Sequence, residues 1–416
     1  MFRNTHIAIV SVLLVILSAC GGGNSPSDAP ANVTVFGGDT RAVVAFDQGD
    51  LNYWIFHANA DVITRKDYAN FPEAAILTPA ISPQRINGLT NGKTYSFIMN
   101  ATKGNGPAGP TTNSQATTPQ AGGNNWKAGT DTGTAVTTNL NAVVAGLDKF
   151  IAVGDGGKIL LGKEKLSVTA GVLNSVIEWA GVDSKTTEHL NAASYDAINI
   201  RFVAVGANGV AATSVDGSTW TAGNVDATNR PQINGVAFGN STHVAVGNGG
   251  VIYASSDGAS WGTRSSNTAQ TLNNIAFVNG RFIAVGASGT ILTSTDAVTW
   301  ASHTTGTSEL RGVAFGEATY FIVGDGGTLL SSTDAATWTP QASFTTQNLR
   351  DIYFGSRFTA VGAGGAIFNS TPVANALPTW AAPAGTSLGS DELRSVRFSK
   401  GVYVAVGANG AKGSSL

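Results

Sequence analysis

The chain has 416 residues with 24 Lys plus Arg against 26 Asp plus Glu, a formal net charge of -2, which excludes a histone-like or polybasic nucleic-acid binder. Only 12% of residues are charged, whereas 42% are hydrophobic and Gly reaches 52, so neither a disordered polyelectrolyte nor a helical coiled coil fits. What is left is an all-β protein of about two domains, long enough to bury a large core.

Residues 1–19 read as an export signal: Arg3 is the positive flank, Ile7 to Leu17 the apolar run, and Ser18 and Ala19 the small residues at a cleavage site. The run is too short for a comfortable membrane span. Leu17-Ser18-Ala19-Cys20, with the chain's single cysteine, resembles the bacterial lipoprotein box, which implies cleavage before Cys20 and a diacylglycerol on its thiol. Several acyl chains hold a membrane stably where one does not. Gly21 stands where proteobacterial lipoproteins retained at the inner membrane carry Asp, so the resemblance implies outer-membrane attachment, on the periplasmic or surface face. Residues 20–31 comprise this cysteine and a flexible polar tether.

From 32 to 119, short alternating apolar runs broken by turn residues predict a β-sandwich. Leu89 six residues before Tyr95, followed by Phe97 and Met99, resembles the fibronectin type III family, where such a Tyr bonds back to the chain at a corner. That implies an immunoglobulin-like module in which Phe46 replaces the usual core Trp and Tyr53 and Trp54 start the facing strand. Gly104 to Gly109 spells GxGxxG but contains Pro between strands, so it reads as a hairpin loop, not a dinucleotide site.

Residues 125–416 are a repeat array. Leu-Asn/Arg-x-Val/Ile-x-Phe recurs seven times, with Asn141, Asn191, Asn234, Asn273, Arg311, Arg350 and Arg394 at its second position. Val-Gly-x-x-Gly also recurs seven times, its first glycine at 154, 206, 247, 286, 324, 362 and 407; these glycines fit turns needing φ > 0 or close backbone approach. A third string, Ser-x-Asp-Gly/Ala-x-Thr/Ser-Trp, contains Asp216 with Trp220, Asp257 with Trp261, Asp296 with Trp300 and Asp334 with Trp338, and Trp179 and Trp380 are degenerate copies. The seventh tryptophan is displaced to Trp126, ahead of the first repeat. A period of about 40 residues with four short strands per unit predicts a seven-bladed β-propeller of four-stranded blades. Trp126 marks the strand that closes the ring, with three strands of the last blade from the C-terminal end and one from the start of the array.

The Asp string resembles the Asp-box of the BNR-type repeat superfamily, one residue shorter. Its Ser and Asp oxygens are expected to accept backbone N–H groups across the turn while Trp packs between blades. Because Ala297 and Ala335 stand where Gly217 and Gly258 do, that position is expected not to demand a Gly-only conformation. One carboxylate per turn is too few oxygens for Ca²⁺; no metal and no cofactor are expected.

Arg311, Arg350 and Arg394 fall at equivalent positions in the last three repeats, so a ring places them side by side at one rim, with the four asparagines completing the circle. Two roles are open: bonding carbonyls at the strand's start, which Asn can share, or a cationic patch that holds carboxylate or phosphate. The Leu-Arg-x-Val-x-Phe and Val-Gly-x-x-Gly strings resemble the photosystem II assembly and stability factor family, which implies a propeller using an arginine patch to hold partner proteins.

The expected function is a noncatalytic, monomeric envelope lipoprotein that binds a partner protein or glycan at the propeller rim. The alternative is a glycoside hydrolase, since Asp-box propellers include xyloglucan- and sialic-acid-cleaving enzymes. Glycoside hydrolysis needs two carboxylates at set separation; Asp155, Asp325, Asp351, Glu309 and Glu392 are available, but nothing pairs them, and Asp155 and Asp325 read as turn residues because Asn248 replaces them in another repeat. His57, His189, His243 and His303 show no ligand spacing, and Gly157 to Lys163 followed by Glu164 lacks the Ser or Thr of a phosphate loop.

Overall fold

The computed structural model describes Pro26 and residues 28–416; the expectations for residues 1–19 and Cys20 lie outside the described residues. Contacts divide the chain into two compact units, one containing 46–82 and 96–115, the other containing 34–45, 83–95 and 116–416. The stretch 32–119 is therefore shared between the units.

In the first unit, strands Ala75–Leu77, Asn52–Asn59, Tyr95–Thr102 and Gln115–Thr117 form one sheet in that order. Phe56, Ala58, Ile63 and Ile98 form its core with Trp54, Tyr68 and Phe71. Phe46 and Tyr53 pack at a tilt of 40° with centroids 4.7 Å apart.

The second unit contains a three-stranded sheet, Thr34–Gly38, Arg41–Ala45 and Gln84–Asn87. After it, buried Leu89 leads to Thr90, whose N–H donates to the Tyr95 hydroxyl at 3.0 Å. Among the described residues seven further sheets follow, one for each sequence repeat. Their inner strands are Leu140–Gly146, Leu190–Asp196, Ile233–Gly239, Leu272–Val278, Leu310–Gly316, Leu349–Phe354 and Leu393–Ser399. Each inner strand lies against the next, and Leu393–Ser399 lies against Leu140–Gly146. The last sheet takes its outer strand, Asn125–Ala128, from the start of the array: it pairs antiparallel with Lys412–Ser415, placing Trp126 opposite Ser415.

Second strands such as Arg201–Gly206 and Arg281–Gly286 are buried on both faces after their first residue, which explains why they read as uninterrupted apolar runs rather than as alternation. Inner strands carry a register shift between their first and third residues in all seven repeats. Such a bulge re-aims one side chain, and here it is the Asn or Arg at the second position.

The bulge also accounts for the first glycine of Val-Gly-x-x-Gly, which pairs with the leading Leu or Ile, as Gly154 does with Leu140. These glycines are extended, with φ -165 at Gly154, so φ > 0 is not their requirement. A Cβ on Gly154 would sit 2.0 Å from the Asn139 carbonyl oxygen. The left-handed residues come later in the motif, at Gly156 and Gly157 for example.

The Asp turns hold the far ends of the sheets. Asp216 Oδ1 accepts the N–H groups of Ser218 and Thr219, both at 2.7 Å, and Ser214 Oγ accepts that of Gly217 at 2.8 Å; Asp257, Asp296 and Asp334 repeat the arrangement. Those backbone bonds keep the Asp216 carboxyl well below its ordinary range. Contrary to the expectation from Ala297 and Ala335, the residue after each Asp is left-handed: φ is 73 and 70 at Gly217 and Gly258, and 61 and 58 at the alanines. Ala accepts this conformation at a strain of roughly 1–2 kcal/mol. Trp126, Trp179, Trp220 and Trp300 are buried, and Trp261, Trp338 and Trp380 are partly buried against the sheet cores. Trp179 and Trp380 belong to long hairpin strands, Val172–Val182 and Ala376–Ala381, not to Asp turns.

His243 occupies the second-strand position held by Phe202, Phe282, Tyr320 and Tyr403 in other repeats. It is fully buried, neither ring nitrogen has a hydrogen-bond partner, and Nε2 lies 3.7 Å from Asp196 Oδ2. Burial lowers its pKa from 6.5 to about 4, with Asp196 opposing the shift. The unfolded chain therefore binds a proton that the folded chain refuses, and stability falls as pH drops from the ordinary value toward the lowered one. The loss amounts to about 3 kcal/mol. His243→Phe is expected to remove that part of the acid sensitivity, checked by urea titrations at pH 7, 5.5 and 4. His57, in the other unit and likewise lowered to about 4 by burial, keeps its own acid loss in both proteins.

Candidate functional site

The re-aimed second-position side chains line a cavity of about 400 Å³ at one end of the channel between the inner strands. Its two halves differ in chemistry. Where the second residue is Asn, the amide donates to the leading carbonyl of the next repeat: Asn141 to Leu190 O at 2.9 Å, Asn191 to Ile233 O at 2.7 Å, Asn234 to Leu272 O at 2.9 Å and Asn273 to Leu310 O at 3.0 Å. These bonds tie neighbouring sheets together around the rim.

The arginines do not take over that role. Arg311 binds Asp325 through Nε at 3.2 Å and Nη2 at 2.9 Å. Arg350 bridges Asp325 at 3.2 Å and Glu392 at 2.6 Å, and Arg394 binds Glu392 at 3.0 Å and the Asn141 side-chain Oδ1 at 2.7 Å. Asn141 in turn donates to Asp155 at 2.9 Å, and Asp155 meets His189 Nδ1 at 3.0 Å. The expected patch is thus a chain of alternating charge, and the expected bonds from arginine to strand-start carbonyls are replaced by ion pairs. Longer reach explains the change: guanidinium extends past the neighbouring carbonyl to the next carboxylate, which a short amide cannot do.

Asp155 and Asp325, read from sequence as turn residues, act through their side chains on the rim. Each lies 14 positions after the second residue of its inner strand, as does Asn248, which accepts from Asn234 at 2.9 Å. That fixed spacing is the signal by which the pairing is readable. Burial works to raise the Glu392 pKa, but the hydrogen bonds and charges of Arg350 and Arg394 outweigh it and leave the carboxyl below its ordinary value. At Asp155, burial is outweighed likewise by bonds from Asn141, Asn139 and His189.

Deeper in the channel, Asp351 is buried and accepts from Ser395 Oγ at 3.0 Å, Val396 N–H at 3.1 Å and Arg397 Nη1 at 2.6 Å. Glu309 lies 4.0 Å from Arg311. Each of the five candidate carboxylates is engaged by an arginine or amide side chain, Glu309 by Asn273 at 2.8 Å. Among the described residues no group of three or more His, Cys, Asp or Glu side chains is arranged to hold a metal ion.

Other contacts across neighbouring repeats had no sequence motif. Lys149 donates to the Asp216 carbonyl at 2.8 Å, Asn240 to Thr295 O at 2.9 Å and Arg281 to Asp334 O at 3.1 Å, so the hairpin of one sheet holds the Asp turn of the next.

No protein-family model and no curated protein matches the chain. Similar solved structures include YCF48 bound to D1 peptide, at 16% identity and TM-score 0.54, covering 70% of this chain and 94% of that one, and YCF48 from Cyanidioschyzon merolae, at 15% identity and TM-score 0.53, covering 70% and 98%. With the circle of five four-stranded and two five-stranded sheets, this likeness makes the fold of the array a β-propeller.

Proposed function

We propose that the chain is an envelope lipoprotein whose propeller, of seven blades closed by the Trp126 strand, binds an acidic segment of a partner protein at the polar mouth of its channel. One observation carries the reading. Asp325 and Glu392 engage two nitrogens of Arg350 and hold Arg311 and Arg394 in place, yet one terminal nitrogen of each guanidinium takes part in none of these bonds, and the three side chains line the cavity and are 26 to 29% exposed. Preoriented donors of this kind suit carboxylates, since the carboxylates already present fix the arginines without using every donor. A similar structure contains a bound peptide, which supports a protein ligand. The hydrolase alternative needs a carboxyl free to carry a proton, and the arginines keep Glu392 ionised. The module over 32–119 is proposed as a fibronectin type III-like spacer, and the anchor as diacylglycerol on Cys20 at the outer membrane.

Binding is tested with a fluorescent peptide of ten residues rich in Glu, followed by anisotropy. Arg311→Gln or Arg394→Gln is expected to weaken it about fivefold, more at low salt than at high. Unfolding temperature should stay nearly constant, because Arg350 still pairs each carboxylate and partly exposed pairs contribute at most about 1 kcal/mol. Unchanged affinity with lowered stability would assign these arginines to the fold alone. For the anchor, labelled palmitate should enter the wild type in a bacterial host and be absent from Cys20→Ser.

A further inference from the structure

The other end of the channel is a cavity of about 460 Å³ that shares Ala193, Val236, Asn274, Asp351 and Arg397 with the first and differs from it at the rim. Its rim is made by the sixth residue of the inner strands: Tyr195, Phe238, Phe277, Phe315, Phe354 and Phe398. Several of these rings lie over a glycine of the preceding repeat, Tyr195 over Gly146 and Phe277 over Gly239, where an added Cβ would fall within 2.6 and 2.0 Å of the ring. They are held as fixed walls. The first repeat breaks the series, with Ala145 at the same position and also lining the cavity. A ring is missing there, in the repeat that lies between those of Arg397 and Ser194, two polar residues of this wall.

Arg397, in the repeat before the gap, projects from the fifth position of its strand. Its Nη1 binds Asp351 and the Val396 carbonyl, both at 2.6 Å, its guanidinium carbon sits 5.3 Å from the Tyr353 ring centroid, and its side chain remains 25% exposed. Nε and Nη2 take part in neither bond, and the side chain lines this cavity as well as the first. Asp351 offers no competing acceptor, because Ile352 N–H, Ser395 Oγ, Val396 N–H and Arg397 fill both of its oxygens. In the repeat after the gap, Ser194 occupies the same fifth position and lines the cavity; it is 5% exposed and its hydroxyl has no partner. An unpaired buried hydroxyl is costly and uncommon.

We propose that this pocket binds a small aromatic carboxylic acid. The flat apolar body enters the Ala145 gap between aromatic rings, and the carboxylate accepts hydrogen bonds from Arg397 and Ser194. The aromatic walls favour a ring over an alkyl chain through offset and edge contacts, and a guanidinium already stacked on Tyr353 selects a planar oxyanion. The volume falls within the range of small-ligand sites.

The test uses the full chain, with 2-naphthoate and uncharged 2-naphthol as probes in calorimetric titration. Wild-type protein should bind 2-naphthoate at one site, about tenfold or more tighter than 2-naphthol. Arg397→Gln should abolish that preference while 2-naphthol binding persists. Since this change also removes a partner of buried Asp351, Ala145→Phe serves as the second variant: it restores the ring present in the other repeats, and should exclude both probes without lowering the unfolding temperature. Arg350→Gln, at the opposite mouth, should leave both affinities unchanged, so loss of the acidic-peptide site and loss of this one are separable. Absence of saturable 2-naphthoate binding, or binding that survives Ala145→Phe in folded protein, overturns the proposal.

Discussion

Trp126→Ala is expected to lower the unfolding free energy by about 3–5 kcal/mol, the range for truncating a buried tryptophan, and to open the array at its junction. Trp126 is 2% exposed, donates from Nε1 to the Gly123 carbonyl at 2.8 Å, and packs with Leu388, Leu393 and Tyr403. Its strand is bonded on one side to Lys412–Ser415 and on the other to Gly385–Thr386. Losing the indole therefore loosens two sheet pairings as well as a core, and leaves an exposed strand edge in the last sheet. Trp338→Ala is the comparison: that ring is only partly buried and stands outside the junction. The expected result is a smaller loss for Trp338→Ala, together with protease cleavage between residues 120 and 130 in Trp126→Ala only. Equal losses and identical cleavage would mean that the first and last parts of the array are joined by something other than this strand.

That strand was legible because a repeat was short of one tryptophan and the spare one stood at the other end. Period and composition were sufficient for sheets and their order, since each repeat must bury both faces of its second strand and can do so only against neighbours. Conformation within the turns was less readable. Gly154 and Gly157 look alike in the text, yet the first is extended beneath the Asn139 carbonyl and the second has φ 70. Ala297 misleads in the opposite sense, because a residue with a Cβ occupies a left-handed position that the Ser294 and Asp296 bonds over-determine.

At the rim, the identity and level of Arg311, Arg350 and Arg394 followed from the repeat, but their partners in other repeats did not. The 14-residue spacing links Asp325 to Arg311, but only the fold brings Arg350 to both Asp325 and Glu392 across adjacent repeats. The pocket at the far mouth shows a related asymmetry: the absence of a ring at Ala145 was visible in the repeat, whereas the exposure of Arg397 and the unpaired hydroxyl of Ser194 depend on packing across the channel.

Glu164 is the residue whose role sequence reading missed entirely. It had weight there only as the wrong residue for a phosphate loop. In the fold it is 5% exposed on the first repeat's long hairpin, accepts from Arg41 Nη2 at 2.8 Å, pairs with Arg85, and is bonded by Ser175 Oγ. Arg41 and Arg85 belong to adjacent strands of the three-stranded sheet, so one carboxylate ties that sheet to the array, and no spacing rule links positions so far apart. Burial acts to raise its pKa, but the arginine and serine bonds prevail and hold it below the ordinary value. Glu164→Gln retains the shape and one acceptor but strands two guanidinium groups, and removal of one partner from a buried ion cluster costs about 3–5 kcal/mol. The expected result in urea at pH 7 is a loss of that size, against less than about 1 kcal/mol for Glu178→Gln, whose pair with Lys165 on the same hairpin is 33 and 63% exposed. The sign of the pH dependence follows from the lowered value: Glu164 stabilises the fold above the unfolded carboxyl's pKa, and its contribution disappears as pH falls through the folded one. Glu164→Gln should accordingly converge on wild-type stability in acid, and a gap that stays constant down to pH 3 would place the effect in packing rather than charge.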